Sequence, residues 1–149
     1  MLARDYFESA MAAQRFIRGR QAIIAAMRER EGIRSRGCAP VGTVPSDPMR
    51  AVDDRIDAEE RARLELTGYE EEVDDARSVC RGVRFANPSH PLWGDVLEIH
   101  FLELASWEDV AKHLGVSTSY ARHAAYAALE WIDSVGIAAA RQGMGRAEG

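Results

Sequence analysis

The feature that most constrains the fold is the stretch at residues 107–132, WEDVAKHLGVSTSYARHAAYAALEWI. Its apolar residues recur at steps of three and four, which puts one side of each of two helices into a shared core. Gly115 stands where the first helix must end, because glycine adopts positive φ without the steric cost of a Cβ. The hydroxyls of Ser117, Thr118 and Ser119 can cap the second helix. The stretch therefore predicts two helices joined by a tight turn.

Polar and aromatic side chains occupy the positions of the second helix that point away from this core. Donors and stacking groups of this kind reach base edges and phosphates from a helix in the major groove. The predicted DNA-binding residues are Lys112, Ser117, Thr118, Ser119, Arg122, His123 and Tyr126. An αα-hairpin within an ordinary helical core would show the same spacing without any DNA-binding role.

The charge of this stretch argues against tight binding by a single copy. Its two basic residues stand against three acidic ones, Glu108, Asp109 and Glu130. A DNA-binding surface normally carries an excess of basic residues, because neutralising phosphates supplies most of the affinity. We therefore expect weak affinity from one copy and binding as a homodimer to a two-fold site.

A family resemblance covers residues 97–132. They resemble the fourth region of bacterial sigma factors, and more specifically the phage-encoded ArpU and RinA type transcriptional regulators, in which that module follows a long helical N-terminal part. The matching residues are Leu97, Phe101, Leu102, Trp107, Val110, Ala111, Leu114, Ser117, Ala128 and Leu129. Residues 46–60 also resemble the start of the family's central helix. The resemblance implies sequence-specific binding of duplex DNA and control of phage or prophage transcription, without enzymatic activity.

Two long helices are predicted before this module. Residues 2–31 contain no proline and one glycine, which predicts a helix of about eight turns. The residues of its predicted apolar stripe are Tyr6, Ala10, Ala13, Ile17, Ile24 and Met27. Residues 32–48 hold six glycines and prolines and predict a mobile loop. Pro48 then suits the first position of a helix, with Asp47 as its cap.

An apolar stripe close to a heptad repeat runs along the second long helix. Its members are Val52, Ala62, Leu66, Tyr69, Val73, Ala76, Cys80 and Val83. Such a stripe either packs on the first helix as an antiparallel hairpin or joins a second chain as a coiled coil. The predicted fold class is therefore all-α, with a long helical hairpin or coiled coil followed by the sigma-like helix-turn-helix.

Charge is unevenly distributed between the two long helices. Residues 1–50 carry nine arginines and five acidic residues, whereas residues 51–104 carry six arginines and fourteen acidic residues. The arginine side of the first helix either pairs with the acidic second helix or grips phosphates, and we favour the pairing. We interpret the acidic run at residues 70–75 as a solvated helix face and not as a pair of catalytic carboxylates.

The predicted organisation has three parts. Residues 1–86 form a dimerisation or interaction segment, residues 87–137 the DNA-binding domain, and residues 138–149 a disordered tail. The segment NPSHP at residues 87–91 separates the first two parts, because its prolines end the preceding helix. An apolar helix at residues 92–102 is expected to support the two helices of the motif, and Trp107 and Trp131 to close their small core.

Other chemistry is not indicated. The four histidines lie ten or more residues apart, and neither Cys38 nor Cys80 has a close partner, so we expect no metal, no cofactor and two free thiols. There is no phosphate-binding glycine loop or nucleophile turn, so an enzyme is not expected. No apolar run approaches the roughly 20 residues of a membrane span, and Asp5 and Glu8 do not fit a signal peptide, so we expect a cytoplasmic protein.

Two alternatives to a DNA-binding regulator stay open. In one, the sigma-like part docks on RNA polymerase, which would suit the low charge of the second helix of the motif. In the other, the chain is a small terminase subunit, which also joins a helix-turn-helix to helical oligomerisation segments.

Overall fold

The computed structural model describes residues 1–35 and 48–145, and among these every regular element is helical and none is a strand. The all-α prediction is therefore confirmed. The helices are α1 (Ala3–Ser35), α2 (Pro48–Ala86), α3 (Trp93–Leu97), α4 (Trp107–Leu114), α5 (Thr118–Val135) and α6 (Ile137–Arg141). A π-helical turn, Glu98–Leu102, continues α3.

The ends of the two long helices differ slightly from prediction. Helix α1 continues beyond Glu31 to Ser35. Pro48 is the first residue of α2, where the N–H that proline lacks would have no helical partner. Asp47, the predicted cap, and residues 36–47 of the predicted loop lie outside the described residues.

The chain divides into two compact units, and both long helices contribute to each. The larger unit consists of Met1–Arg15 and Tyr69–Gly149, and the smaller unit of Phe16–Gly68. The boundary predicted between residues 86 and 87 concerns which segments fold independently, and it stays a prediction.

In the smaller unit, ion pairs join α1 to α2. These are Arg20 with Glu65 at 3.4 Å, Arg28 with Glu59 at 2.6 Å and Arg55 with Glu31 at 2.6 Å. Higher numbers on α1 meet lower numbers on α2, so the two segments are antiparallel, which is the hairpin alternative. Arg20 and Arg28 of α1 thus meet the acidic helix α2, whereas Arg55 belongs to α2 and pairs with an acid of α1. The hydrogen bond from Arg28 lowers the pKa of Glu59.

The larger unit holds most of the apolar core. Phe7, Val79 and Val83 of the long helices are fully buried. Val96, Leu97, Leu102, Val110 and Ile132 from the following helices are also fully buried. The rings of Phe7 and Phe101 lie 5.5 Å apart between centroids, so the start of α1 packs against the π-helical turn.

Polar contacts join the same elements. Tyr6 donates a hydrogen bond to Asp75, and Arg141 Nη2 of α6 donates to the same carboxylate at 2.8 Å. Although burial alone would favour the protonated acid, these two donors lower the pKa of Asp75. Ser9 donates to Glu72. The acidic run at residues 70–75 is therefore partly engaged with α1 and α6 and is not wholly a solvated face.

Two details of the predicted apolar stripes are wrong. Tyr69 is 39% exposed, although the other stripe residues from Ala62 to Val83 are buried. In α1 the predicted stripe included Tyr6, but the fully buried aromatic residue is its neighbour Phe7. The phenol of Tyr6 is held at the edge of the core because its hydroxyl needs a partner, which Asp75 supplies.

The predicted disorder after residue 137 does not hold for the described part of that tail. Ile137–Arg141 form α6, and Ala140 is fully buried. The reason is a close approach to α2: a Cβ added at Gly82 would lie 1.7 Å from the carbonyl oxygen of Ala140. A residue with no side chain on α2 thus gives α6 a place to pack.

Candidate nucleic-acid interface

Helices α4 and α5 are each capped at the N-terminus by a serine side chain. Ser106 caps α4, with its Oγ accepting a hydrogen bond from the Asp109 N–H at 3.2 Å. Ser117 caps α5, and its Oγ accepts from the Tyr120 N–H at 3.1 Å. Of the three hydroxyl residues predicted as caps, the structure therefore uses Ser117.

Gly115 makes the turn between these helices, as predicted. Its φ of 68° and ψ of 34° lie in the left-handed region. The Val116 N–H donates to the Ala111 carbonyl at 3.0 Å and the Gly115 N–H to the Lys112 carbonyl at 3.4 Å, which is the Schellman pattern of a helix end. Only one residue, Val116, separates this glycine from the cap of α5, so the two helices have little freedom relative to each other.

The inner side of α5 consists mainly of small residues. Ala121, Ala124, Ala125 and Ala128 are buried there, together with Leu129, Trp131 and Ile132. Val110 and Ala111 of α4 are buried as well, and α5 packs on both α3 and α4. Small side chains allow the helix backbones to approach closely, so α5 is held firmly although few of its contacts are bulky.

The predicted site residues lie mainly on the outer side of this pair. Ser119, Arg122, His123 and Tyr126 of α5 are exposed, as are Lys112 of α4 and Ser117 at the cap, whereas Thr118 is half-buried. Arg122 and His123 are thus not packed against the long helices of the chain. The structure brings the α5 residues together on one accessible surface within two and a half helical turns.

The cations of this surface are available to a ligand. Within the described residues, neither Lys112 nor Arg122 forms an ion pair. By contrast, Arg84 of α2 is neutralised by Asp95, at 2.7 Å, and by Glu98. An unpaired guanidinium on a rigid helix retains its donors for phosphate or a guanine edge.

Sequence reasoning missed one exposed aromatic residue of the same surface. Tyr120 is 55% exposed in the first turn of α5, and Tyr126, further along the same helix, is 48% exposed. A large aromatic residue directly after the serine and threonine at the start of the helix was a signal that could have identified Tyr120. Together the two rings add stacking surface beside the polar side chains.

The start of α4 is fixed by a stacked pair of rings. His100 of the π-helical turn lies 3.7 Å from Trp107 between ring centroids, at 14° between planes. Its Nδ1 donates to the Ala105 carbonyl at 2.8 Å. The loop between them includes Leu104 at a φ of 61°, a left-handed conformation that is uncommon for a residue with a Cβ. These contacts orient the N-terminus of α4.

Three further observations concern the part of the chain that the structure describes. No group of three or more His, Cys, Asp or Glu side chains there is arranged to hold a metal ion. The thiol of Cys80 is unpaired and enclosed, and burial raises its pKa to about 12. None of the helices formed by residues 1–35 and 48–145 is long and apolar enough to cross a membrane.

Comparison with known proteins found no relatives. No protein-family model, no curated protein and no solved structure matches this chain.

Proposed function

We propose that the chain is a sequence-specific duplex-DNA-binding regulator that controls transcription of phage or prophage genes and reads the major groove with α5. One observation carries this proposal: Ser119, Arg122, His123 and Tyr126 form an accessible polar surface on a helix that is capped and held after a one-glycine turn. The resemblance of residues 97–132 to sigma region 4 and to ArpU and RinA type regulators supports it.

The residues of this surface have different roles. Arg122 lies in the second turn of α5, from which a guanidinium reaches a guanine edge or a phosphate. Ser119, His123 and Tyr126 share contacts with base edges and the backbone. Lys112, at the C-terminal end of α4, contacts a flanking phosphate and contributes affinity without sequence preference.

The decisive measurement for base reading is the effect of Arg122→Ala on binding to matched and scrambled duplexes. The matched site comes from selection with the full chain in a random duplex library. Arg122→Ala should cost about 1–3 kcal/mol on the matched site and reduce discrimination between the two duplexes. Lys112→Ala should weaken both duplexes equally.

A control for this experiment is Arg81→Ala, which removes an exposed arginine from α2 in the same unit. Its binding should equal that of the wild type. An equal loss on both duplexes for Arg122→Ala would contradict base reading, and failure of the wild type to bind any duplex would contradict the proposed function.

A specific observation favours a second candidate, docking on RNA polymerase. Tyr120 and Tyr126 are about half exposed on α5, and aromatic residues are enriched in protein interfaces. This candidate predicts that purified polymerase binds the chain, that Tyr126→Ala weakens that complex, and that no duplex is selected. Recovery of a defined DNA sequence would reject it as the main function.

Binding as a homodimer fits the smaller unit. A cleft of about 360 Å³ on its two helices is lined by Ile24, Met27 and Ala58. Ile56 and Leu64 are 48% and 77% exposed. A second copy would cover these exposed apolar residues.

Self-association is tested by sedimentation velocity with Leu64→Glu. This change places a charge on the exposed apolar surface and should shift the chain from dimer towards monomer by at least tenfold in dissociation constant. Gln21→Glu, an exposed residue of α1 that gains the same charge, should leave the dimer intact. A monomeric wild type, or a dimer unaffected by Leu64→Glu, would contradict this assembly.

A further inference from the structure

A polar cleft of about 480 Å³ lies on the larger unit and is lined by α2 and by the first residue of the π-helical turn. None of its lining residues belongs to α4 or α5, so the cleft is distinct from the candidate nucleic-acid interface. Its volume falls in the range of pockets that hold small molecules. The lining residues, all charged or polar, are Asp74, Arg77, Ser78, Arg81, Arg84 and Glu98.

The three arginines of this cleft recur at steps of four and three along α2, which places them on one side of the helix. Their charges are compensated to different degrees. Arg84 is held by Asp95, at 2.7 Å, and by Glu98. Neither Arg77 nor Arg81 forms an ion pair with any residue that the structure describes. Two guanidinium groups on adjacent turns of α2 are therefore available to an anion.

Arg77 has the least compensated position of the group. Its side chain is half-buried, and its Nε atom is buried without a hydrogen-bond partner. The Nε atoms of Arg55 and Arg141 also lack a well-aligned hydrogen bond, but they lie 2.6 Å from Glu31 and 2.8 Å from Asp75. Within residues 1–35 and 48–145, Arg77 has no such carboxylate. A buried donor without an acceptor costs free energy, and an oxyanion beside Arg77 would compensate its charge.

The remaining lining residues indicate which kind of anion suits the cleft. Asp74 is exposed, and its carboxylate forms no ion pair in the described part of the chain. Carboxylates repel a phosphate group but accept hydrogen bonds from hydroxyl groups. None of the six lining residues is aromatic, so no ring among them stacks on a nucleobase. Cationic and carboxylate groups in one polar cleft fit a ligand that carries both a phosphate and several hydroxyl groups.

We propose that this cleft binds a small phosphorylated sugar. The phosphate group lies between Arg77 and Arg81, because guanidinium groups form charge-assisted and bidentate hydrogen bonds with phosphate. The sugar hydroxyl groups donate to the carboxylates of Asp74 and Glu98. Arg84 holds Glu98 in place for this contact. The ligand is a free small molecule and not the DNA backbone, so this inference does not rest on the proposed function.

The first test is an NMR titration of the full chain with glucose 6-phosphate, inorganic phosphate and glucose at equal ionic strength. Glucose 6-phosphate should bind more tightly than inorganic phosphate, and glucose should not bind over the same concentrations. Arg77→Gln and Arg81→Gln should each weaken glucose 6-phosphate by about tenfold, because each removes a charge-assisted hydrogen bond. Arg81 is exposed, so its variant keeps the test decisive if Arg77→Gln unfolds.

The matched control is Arg63→Gln, which neutralises an exposed arginine of the same helix outside the cleft and should bind glucose 6-phosphate like the wild type. Equal affinities of the Arg63, Arg77 and Arg81 variants would overturn the site.

The second test separates recognition of the sugar from general attraction of anions. Asp74→Ala removes a like charge and should strengthen binding of inorganic phosphate. It also removes an acceptor for hydroxyl groups, so the preference for glucose 6-phosphate over inorganic phosphate should fall. An unchanged preference would overturn the assignment to a phosphorylated sugar.

A third measurement distinguishes a free ligand from a phosphate of DNA. Arg77→Gln and Arg81→Gln should bind duplexes like the wild type. Weaker duplex binding by these variants, with no response of the wild type to glucose 6-phosphate, would assign the cleft to the DNA backbone and overturn the proposal. Binding of glucose 6-phosphate by a wild type that binds no duplex would support this site and contradict only the proposed function.

Discussion

Phe7→Ala is expected to lower the free energy of unfolding by about 3–5 kcal/mol, the largest effect of any single change considered for this chain. Phe7 is fully buried, packs edge-on to Tyr6 at 5.3 Å between centroids and lies 5.5 Å from Phe101. Removing the ring leaves a cavity where α1 meets the π-helical turn, and the surrounding helices are fixed by other contacts and cannot close it.

This effect is measured by denaturant unfolding followed by tryptophan fluorescence. All three tryptophans lie between residues 93 and 131, in the larger unit, so the signal reports the helices that carry the candidate interface. Phe85→Ala is the matched control, because Phe85 is 80% exposed and should lose less than about 1 kcal/mol. If the two variants were equally stable, the N-terminal part of α1 would not belong to the core of the larger unit.

The same experiment bears on the predicted domain boundary between residues 86 and 87. If α1 packs on the π-helical turn as described, a fragment that starts at residue 87 lacks Phe7, Val79 and Val83 and exposes much of the core. Phe7→Ala would then destabilise the tryptophan-containing helices in the full chain. A variant that unfolds α1 by circular dichroism without changing the fluorescence transition would support the predicted boundary.

Gly82→Ala is expected to destabilise the chain by about 2–3 kcal/mol. The added Cβ would lie 1.7 Å from the Ala140 carbonyl oxygen and 2.8 Å from that of Arg141, and both are backbone atoms that cannot rotate away. Helix α6 would have to leave α2, exposing Ala140 and removing the hydrogen bond from Arg141 to Asp75.

Alanine at Gly82 and alanine at Gly68 should change the stability of the chain in opposite directions. In a helix with open space around it, replacing glycine by alanine stabilises by about 1 kcal/mol. Gly68 offers that control on the same helix, because nothing lies within 4 Å of a Cβ added there. Thermal unfolding followed by circular dichroism should therefore rank Gly68→Ala above the wild type and Gly82→Ala below it. A stabilised Gly82→Ala would show that α6 does not pack against α2.

Features that depend on neighbouring residues in the sequence were predictable. Gly115 ends α4 because its left-handed φ is a local requirement, and Ser117 caps α5 through a bond to the N–H three residues later. The outward direction of Arg122 and Tyr126 follows from the helical period once Ala121 and Ala124 are assigned to the core. The all-α class follows from the same periodicity, which left the antiparallel hairpin and the coiled coil as alternatives for the long helices.

Features that depend on distant residues were not predictable. Packing of residues 137–141 on α2 requires the space at Gly82, and the helix-forming alanines of IAAAR do not indicate that such a site exists. The choice of Phe7 over Tyr6 for the core depends on Phe101 and Asp75, which lie far along the chain. In the π-helical turn the Glu103 N–H donates to the Glu98 carbonyl, five residues earlier, at 3.0 Å. The spacing of apolar residues does not distinguish this hydrogen-bond pattern from that of an ordinary α-helix.

The enclosure of Cys80 has a practical consequence for studying motion in this protein. Its side chain is inaccessible, and burial keeps the thiol protonated near neutral pH, so alkylating reagents have neither access nor a thiolate to attack. Labelling at this position can proceed only while α2 is transiently separated from its neighbours. The rate of alkylation at Cys80, followed separately from that at Cys38, therefore reports how often the core opens.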